Sequence, residues 1–305
     1  MLLPDPGFPN YTQVARLLHA SPRTYPLSAR NGWLPDPADI AARITPRTKL
    51  ILVCTPGNPT GAVCSLPLLQ SLADLSRTRG VHLLSDEIYD RVLFDGSHSA
   101  PSILQTEHDL DLTIATSGVA KSFSMTGFRV GWLHASPALV GVATRMAEVY
   151  LSCGVPFAQA AAEAALRGPQ DAVAQMATAY RSRRDLALGI LKRHGMYEYS
   201  PQGAFYLLVA VPGGGDAFAD RLLSECGVAV APGSTFGQAS VGHVRVSLAS
   251  SEQALEEGLT ALCELAVLMR AEEGGGEVGR SKGGDEKPTL EDERGRGDES
   301  DEGRV

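Results

Sequence analysis

Thr116-Ser-Gly-Val-Ala-Lys121-Ser-Phe-Ser-Met-Thr-Gly-Phe-Arg129-Val-Gly-Trp132 is the stretch from which the rest of the chain is read. An apolar run, Leu112-Thr-Ile-Ala115, leads into it and predicts a buried strand. One lysine and one arginine then stand among Ser117, Gly118, Gly127 and Gly131. Small residues let the backbone come close to a ligand. An arginine's planar fork binds oxyanions with two hydrogen bonds. A lysine held in a pocket beside another cation has a lowered pKa and can attack a carbonyl carbon. The stretch therefore suits a ligand with an aldehyde and a phosphate. An ordinary strand, loop and strand with a solvated lysine would carry the same residue types, so the rest of the chain must bear on the choice.

The chain has 305 residues, 44% of them hydrophobic, and a net charge of −8. That length suffices for a large core in two domains or one large one. Residues 271–305 hold 12 acidic and 6 basic side chains with nine glycines, a composition that predicts a disordered acidic tail serving solubility. The remaining body is nearly neutral, which excludes a nucleic-acid binder. Cys54, Cys64, Cys153, Cys226 and Cys263 show no metal-ligand spacing and are odd in number, so they read as free thiols in a reducing compartment. No apolar run reaches membrane length, and Met-Leu-Leu-Pro-Asp-Pro-Gly is no signal peptide. A cytoplasmic protein is expected.

Working outward, strands are expected over 49–54, 81–85, 112–116, 129–135, 203–210, 228–231 and 243–249. Helices are expected over 11–20, 36–47, 66–79, 138–151, 157–167, 215–226 and 251–270. A long helix from Pro169 to His194 would span ~39 Å at 1.5 Å per residue. Leu139, Val142, Met146 and Val149 form one stripe of the 138–151 helix. The rhythm of buried strands and amphipathic helices predicts an α/β fold, a mainly parallel sheet flanked by helices. A smaller C-terminal α/β domain follows. The expected division is 1–168, 169–270 and the tail 271–305.

Turn-rich segments close several of these strands. Thr55-Pro-Gly-Asn58-Pro-Thr-Gly61 follows one strand, and the carboxyl ends of parallel strands are where open α/β sheets bind ligands. Asp86-Glu-Ile-Tyr89 follows the next, where an aspartate also serves as a simple cap. Pro4-Asp-Pro-Gly-Phe8-Pro-Asn-Tyr11 contains an aromatic beside a turn, equally readable as a core phenylalanine. In His243-Val-Arg245-Val-Ser-Leu-Ala249 the arginine alternates away from the apolar face, as an exposed strand arginine would.

Gly118 to Gly131, GVAKSFSMTGFRVG, resembles the lysine-attachment motif of class I and II aminotransferases, pyridoxal-phosphate enzymes of the aspartate aminotransferase fold. The resemblance implies transfer of an amino group between an L-amino acid and a 2-oxo acid, with pyridoxal 5'-phosphate held as an aldimine on Lys121. Lys121 would afterwards move the proton. Arg129 and Ser117 would take the phosphate, Phe8 would stack on the pyridine ring, and Asp86 would keep the ring nitrogen protonated. Tyr89 and Asn58 would hydrogen-bond the phenolic oxygen. Arg245, in Arg-x-Ser-x-Ala, would clamp the substrate α-carboxylate, with Asn58 beside it. A homodimer is implied.

The likeness extends from residue 1 to about 250. Two departures stand out. Gly118 occupies the place where many members carry a phosphate-binding serine. The family's N-terminal portion is absent from the sequence, and with it an edge strand, a glycine loop and helix N-terminus that cradle the phosphate, and an aromatic lent across the dimer. Poor cofactor binding by these 305 residues alone is the expectation. The motifs also leave open β-elimination (a C–S lyase), a cyclopropane-forming synthase, and a copy that binds without catalysing.

Overall fold

The structure, a computed structural model, describes residues 1–276. The chain opens in strand β1 (Leu2–Asp5), followed by α1 (Pro9–Leu17), β2 (Arg23–Pro26), α2 (Pro37–Arg43) and β3 (Leu50–Cys54). Next come α3 (Leu66–Arg79), β4 (His82–Asp86), β5 (Thr113–Gly118), the single turn α4 (Val119–Ser122) and β6 (Gly131–His134). These strands form one sheet in the order β2-β1-β3-β4-β5-β6, parallel except for β6.

Local chemistry explains several boundaries. Ser65 caps α3 by accepting the Leu68 N–H, and Gly80 ends it in the left-handed conformation, φ 61°. Ser136 caps α5 (Pro137–Leu151) in the same way, with proline in the first turn. Arg129 takes a left-handed backbone, φ 56°, so β6 begins at Gly131 rather than at 129.

Helices α6 (Pro156–Arg167) and α7 (Asp171–Arg193) lead to a second sheet. The 23 residues of α7 span ~34 Å at 1.5 Å per residue, shorter than expected because Pro169 and Gln170 stay outside the helix. The second sheet, order β7-β9-β8, is antiparallel and built from β7 (Tyr206–Ala210), β8 (Ala231–Pro232) and β9 (His243–Ser247). Strand β7 starts at Tyr206 rather than 203, since Ala204 has φ 56°. Of the strand expected over 228–231 only Ala231 is in a strand, the two-residue β8 (Ala231–Pro232). Helix α8 (Gly215–Cys226) packs beneath it, and α9 (Glu252–Gly276) closes the chain. Residues 271–276 thus continue a helix where the acidic tail was expected to begin, and the remainder of that tail lies outside the described residues.

One continuous core joins the two sheets. It runs from Leu2, Ile51, Leu83 and Ala115 to Leu207, Val244 and Val246. Helix α5 is the exception: no residue in it is buried, and Val142, Met146 and Val149 of the expected stripe are exposed. The neighbouring edge strand β6 is exposed throughout. The helical spacing was right, but no described element covers that face. Among the described residues, no helix is long and apolar enough to cross a membrane.

Candidate active site

The parallel strands β1, β3, β4 and β5 all end at one rim, and a cleft of about 540 Å³ opens there. Phe8, Asn58, Asp86, Tyr89, Ser117, Lys121, Arg129 and Arg245 all line it. Every site residue singled out from the sequence is therefore brought to the same cavity. Phe8 comes from the loop after β1, Asn58 from the turn after β3, and Asp86 is the last residue of β4. Lys121 rides on the α4 turn directly after β5, and Arg245 crosses from β9 of the small sheet.

Asp86 is largely desolvated. Its Oδ2 accepts the Tyr11 hydroxyl at 2.6 Å and its Oδ1 the Ile88 N–H at 3.2 Å. Burial raises its pKa above the usual carboxylate value, and the two donors pull it back in part. A further N–H or cation at this carboxylate is what its charged form lacks.

Lys121 faces the opposite balance. Burial, then the Arg129 and Arg245 guanidiniums, lower its pKa. Its Nζ lies 6.0 Å from the Tyr89 ring centre and 5.7 Å from that of Phe205. A depressed lysine pKa raises the share of free amine, the form that attacks a carbonyl.

Arg245 is flanked by two aromatic rings. Its guanidinium carbon lies 4.3 Å from the Tyr206 ring centre and 4.5 Å from that of Phe236. Nη1 donates to Asn58 Oδ1 at 2.9 Å, while the buried Nε has no partner. Stacking leaves only the guanidinium edge for a ligand, which favours a planar, two-oxygen anion. Arg129 donates to its own loop at Thr126 O, 3.1 Å away, and Ser117 donates to the Glu87 carbonyl at 3.2 Å. Ser117 lines the cleft, but its one O–H is directed at that carbonyl.

Three cations thus share the cleft with one carboxylate, and none of Lys121, Arg129 or Arg245 forms an ion pair among the described residues. The surplus positive charge, the unpartnered Arg245 Nε and the free-amine bias of Lys121 fit a bound aldehyde that carries a phosphate, with a carboxylate substrate beside it. Pyridoxal phosphate has these groups, and its ring nitrogen would supply a further N–H to Asp86.

Sequence reasoning missed three residues. Tyr11 was expected only to begin the 11–20 helix, yet its hydroxyl holds Asp86. Its place three residues after Phe8, which puts both on one side of the first turn of α1, was the available signal. Tyr206 bonds the Tyr89 hydroxyl at 3.2 Å and floors Arg245. Phe236 lies against Arg245 as well.

Comparison with known proteins agrees with this geometry. The family model "Aminotransferase class I and II" matches residues 1–262. The LL-diaminopimelate aminotransferase of Desulforudis audaxviator is 36% identical over 86% of this chain and 67% of its own length. A probable aspartate/prephenate aminotransferase of Thermus aquaticus is 37% identical over 83% of this chain and 66% of its own. The crystal structure of an aromatic aminotransferase from Pyrococcus horikoshii OT3 superposes with a TM-score of 0.84 at 29% identity, covering 88% of this chain and 73% of that one. A Thermus thermophilus aspartate aminotransferase double mutant gives 0.80 at 34%, covering 87% of this chain and 69% of its own. The chain belongs to the class I and II aminotransferases, pyridoxal-phosphate enzymes of the aspartate aminotransferase fold. It spans about two thirds of the length of the curated relatives it matches.

Proposed function

We propose that this chain transfers an amino group between an L-amino acid and a 2-oxo acid, with Lys121 as the attachment residue and proton carrier. One observation carries the assignment of roles: Lys121, its pKa lowered by burial and two guanidiniums, shares a cleft with the desolvated Asp86 and the ring-flanked Arg245. When bound, pyridoxal phosphate supplies an electron sink that acidifies the substrate α-C–H and carries the amino group from one acid to the other.

The chain's own residues do the rest. Arg245 takes the α-carboxylate edge-on, oriented by Asn58 and fixed in plane by Tyr206 and Phe236. Asp86, held by Tyr11, keeps a proton on the ring nitrogen. Tyr89 and Asn58 would hold the phenolic oxygen, Phe8 the ring, and Arg129 the phosphate, joined by Ser117 once its O–H turns from the Glu87 carbonyl. Lys121 Nζ, once free, lifts the α-proton and returns it. Residues 1–168 serve as the cofactor domain and 169–270 as the smaller one. The enzyme works in the cytoplasm as a homodimer, a reading supported by its five free cysteines and by the exposed apolar face of α5 and β6.

The test is chemical. The chain is incubated with pyridoxal phosphate, reduced with borohydride, digested, and the adduct mapped by mass spectrometry. The expected site is Lys121, and Lys121→Ala should lose both the adduct and amino transfer. A principal adduct on Lys49 or Lys192 would overturn the assignment.

A further inference from the structure

We infer that Asp5 is a positioning residue for the substrate carboxylate: it latches the 233–240 loop of the small sheet onto the end of β1 and so holds Phe236 against Arg245. The inference rests on the transaminase reading of the cleft but concerns a residue outside it.

Asp5 is 9% exposed, and no cation lies within ion-pair distance of it among the described residues. A buried carboxylate needs hydrogen-bond donors. Among the described residues the one its side chain has comes from the loop between β8 and β9, 234 residues away: Ala239 N–H donates to Asp5 Oδ1 at 3.0 Å. Gly237 shows how closely the carboxylate is seated. Its φ is 144°, and a side chain there would run into Asp5 Oδ1 and Cγ. Asp5 therefore fills the space that a side chain at 237 would occupy. A second bond reinforces the seam, from Gly7 N–H to the Phe236 carbonyl at 2.9 Å.

The loop behaves as one piece. Phe236 N–H closes onto Gly233 O at 2.9 Å, and Ser240 Oγ donates to the same carbonyl at 2.7 Å. Gly233 itself has no room for a Cβ against the Ser240 carbonyl. Holding the loop at 237–239 therefore fixes the Phe236 ring, and that ring is one of the two faces that keep Arg245 in plane. The second inter-sheet seam lies elsewhere, where Gln202 and Gly203 donate to Gly61 O and Ala204 to Val92 O. Arg245, through Asn58, is bonded on that side. Without Asp5, the Gly7 bond would be the one hydrogen bond among the described residues still tying the Phe236 loop to the end of β1.

The experiment compares the full chain with Asp5→Ala, Asp5→Asn and Gly237→Ala. Amide hydrogen exchange at 236–240 is measured without cofactor, and KM, kcat and cofactor affinity with it. Asparagine keeps the acceptor oxygen and alanine does not. Asp5→Ala and Gly237→Ala should exchange faster in this loop and raise KM for the amino acid and the 2-oxo acid alike, by about tenfold, the worth of one charge-assisted hydrogen bond. Cofactor affinity should stay within about twofold of the unaltered chain, since the bond lost touches none of the ring-holding groups. Asp5→Asn should restore both loop protection and KM. Unchanged exchange or unchanged KM in Asp5→Ala overturns the proposal, as does a fall in cofactor affinity matching the rise in KM. Should the unaltered chain transfer no amino group although it binds the cofactor, the transaminase reading fails instead. Loop exchange and calorimetric binding of 3-phenylpropanoate, a carboxylate without an amino group, then decide the latch separately.

Discussion

Asp86 is placed where its charge is costly. Its folded pKa lies above the unfolded value, because burial outweighs the Tyr11 and Ile88 donors. The carboxyl contributes stability while protonated, and that contribution is lost as pH rises through the folded pKa. Above that pKa the ionised group therefore weakens the cofactor-free fold. Asp86→Asn should raise the thermal midpoint of the cofactor-free protein, while amino transfer falls by ~100-fold or more with the loss of the group that protonates the ring. A variant with a lower midpoint and near-normal turnover would make Asp86 a plain structural cap. Lys121, Asn58, Asp86 and Arg129 were legible as cleft-lining residues because each stands at or just beyond a strand end in a short pattern of fixed spacing, and Arg245, in the middle of β9, through its Arg-x-Ser-x-Ala pattern. Tyr11 and Tyr206 were not, because their roles depend on partners 75 and 117 residues away. Pattern reading within one element has no access to such pairs.

Among the elements, the β5–β6 pair decides what stands behind Lys121. Gly118 and Gly131 face each other across the antiparallel register. A Cβ on Gly118 would come within 2.8 Å of the Val130 carbonyl and 3.0 Å of Gly131 Cα. The glycine where many relatives were expected to carry serine is thus a packing requirement of this strand pair. Gly118→Ser should destabilise by ~1–3 kcal/mol, the usual cost of overpacking a close approach. Urea denaturation measures it, and an unshifted midpoint would mean the strands separate freely. Helix α3 was legible to the residue because Ser65 and Gly80 mark both its ends. The existence of α5 was legible too, from Pro137 and its apolar stripe, but its exposure was not. Periodicity reports that a helix has an apolar face and is silent on what lies against it.

At the scale of the whole molecule, alternating strands and helices were enough to predict a parallel sheet with a smaller companion, and both are present. The sequence did not show that the two sheets share a single hydrophobic interior, running from Leu2 and Ile51 through Ile190 and Leu191 of α7 to Leu207 and Val246. A division drawn at residue 168 follows the chain but cuts no interface of its own, since the buried side chains on either side are one another's neighbours. That continuity governs how the protein melts. Heated in a scanning calorimeter without cofactor, the chain should absorb its heat in one peak, with calorimetric and van't Hoff enthalpies in a ratio near one. Two resolved peaks would mean that the halves hold together independently. With one peak, damage to either sheet registers as lost heat from both, and a substitution in the small sheet lowers the melting point of the large one.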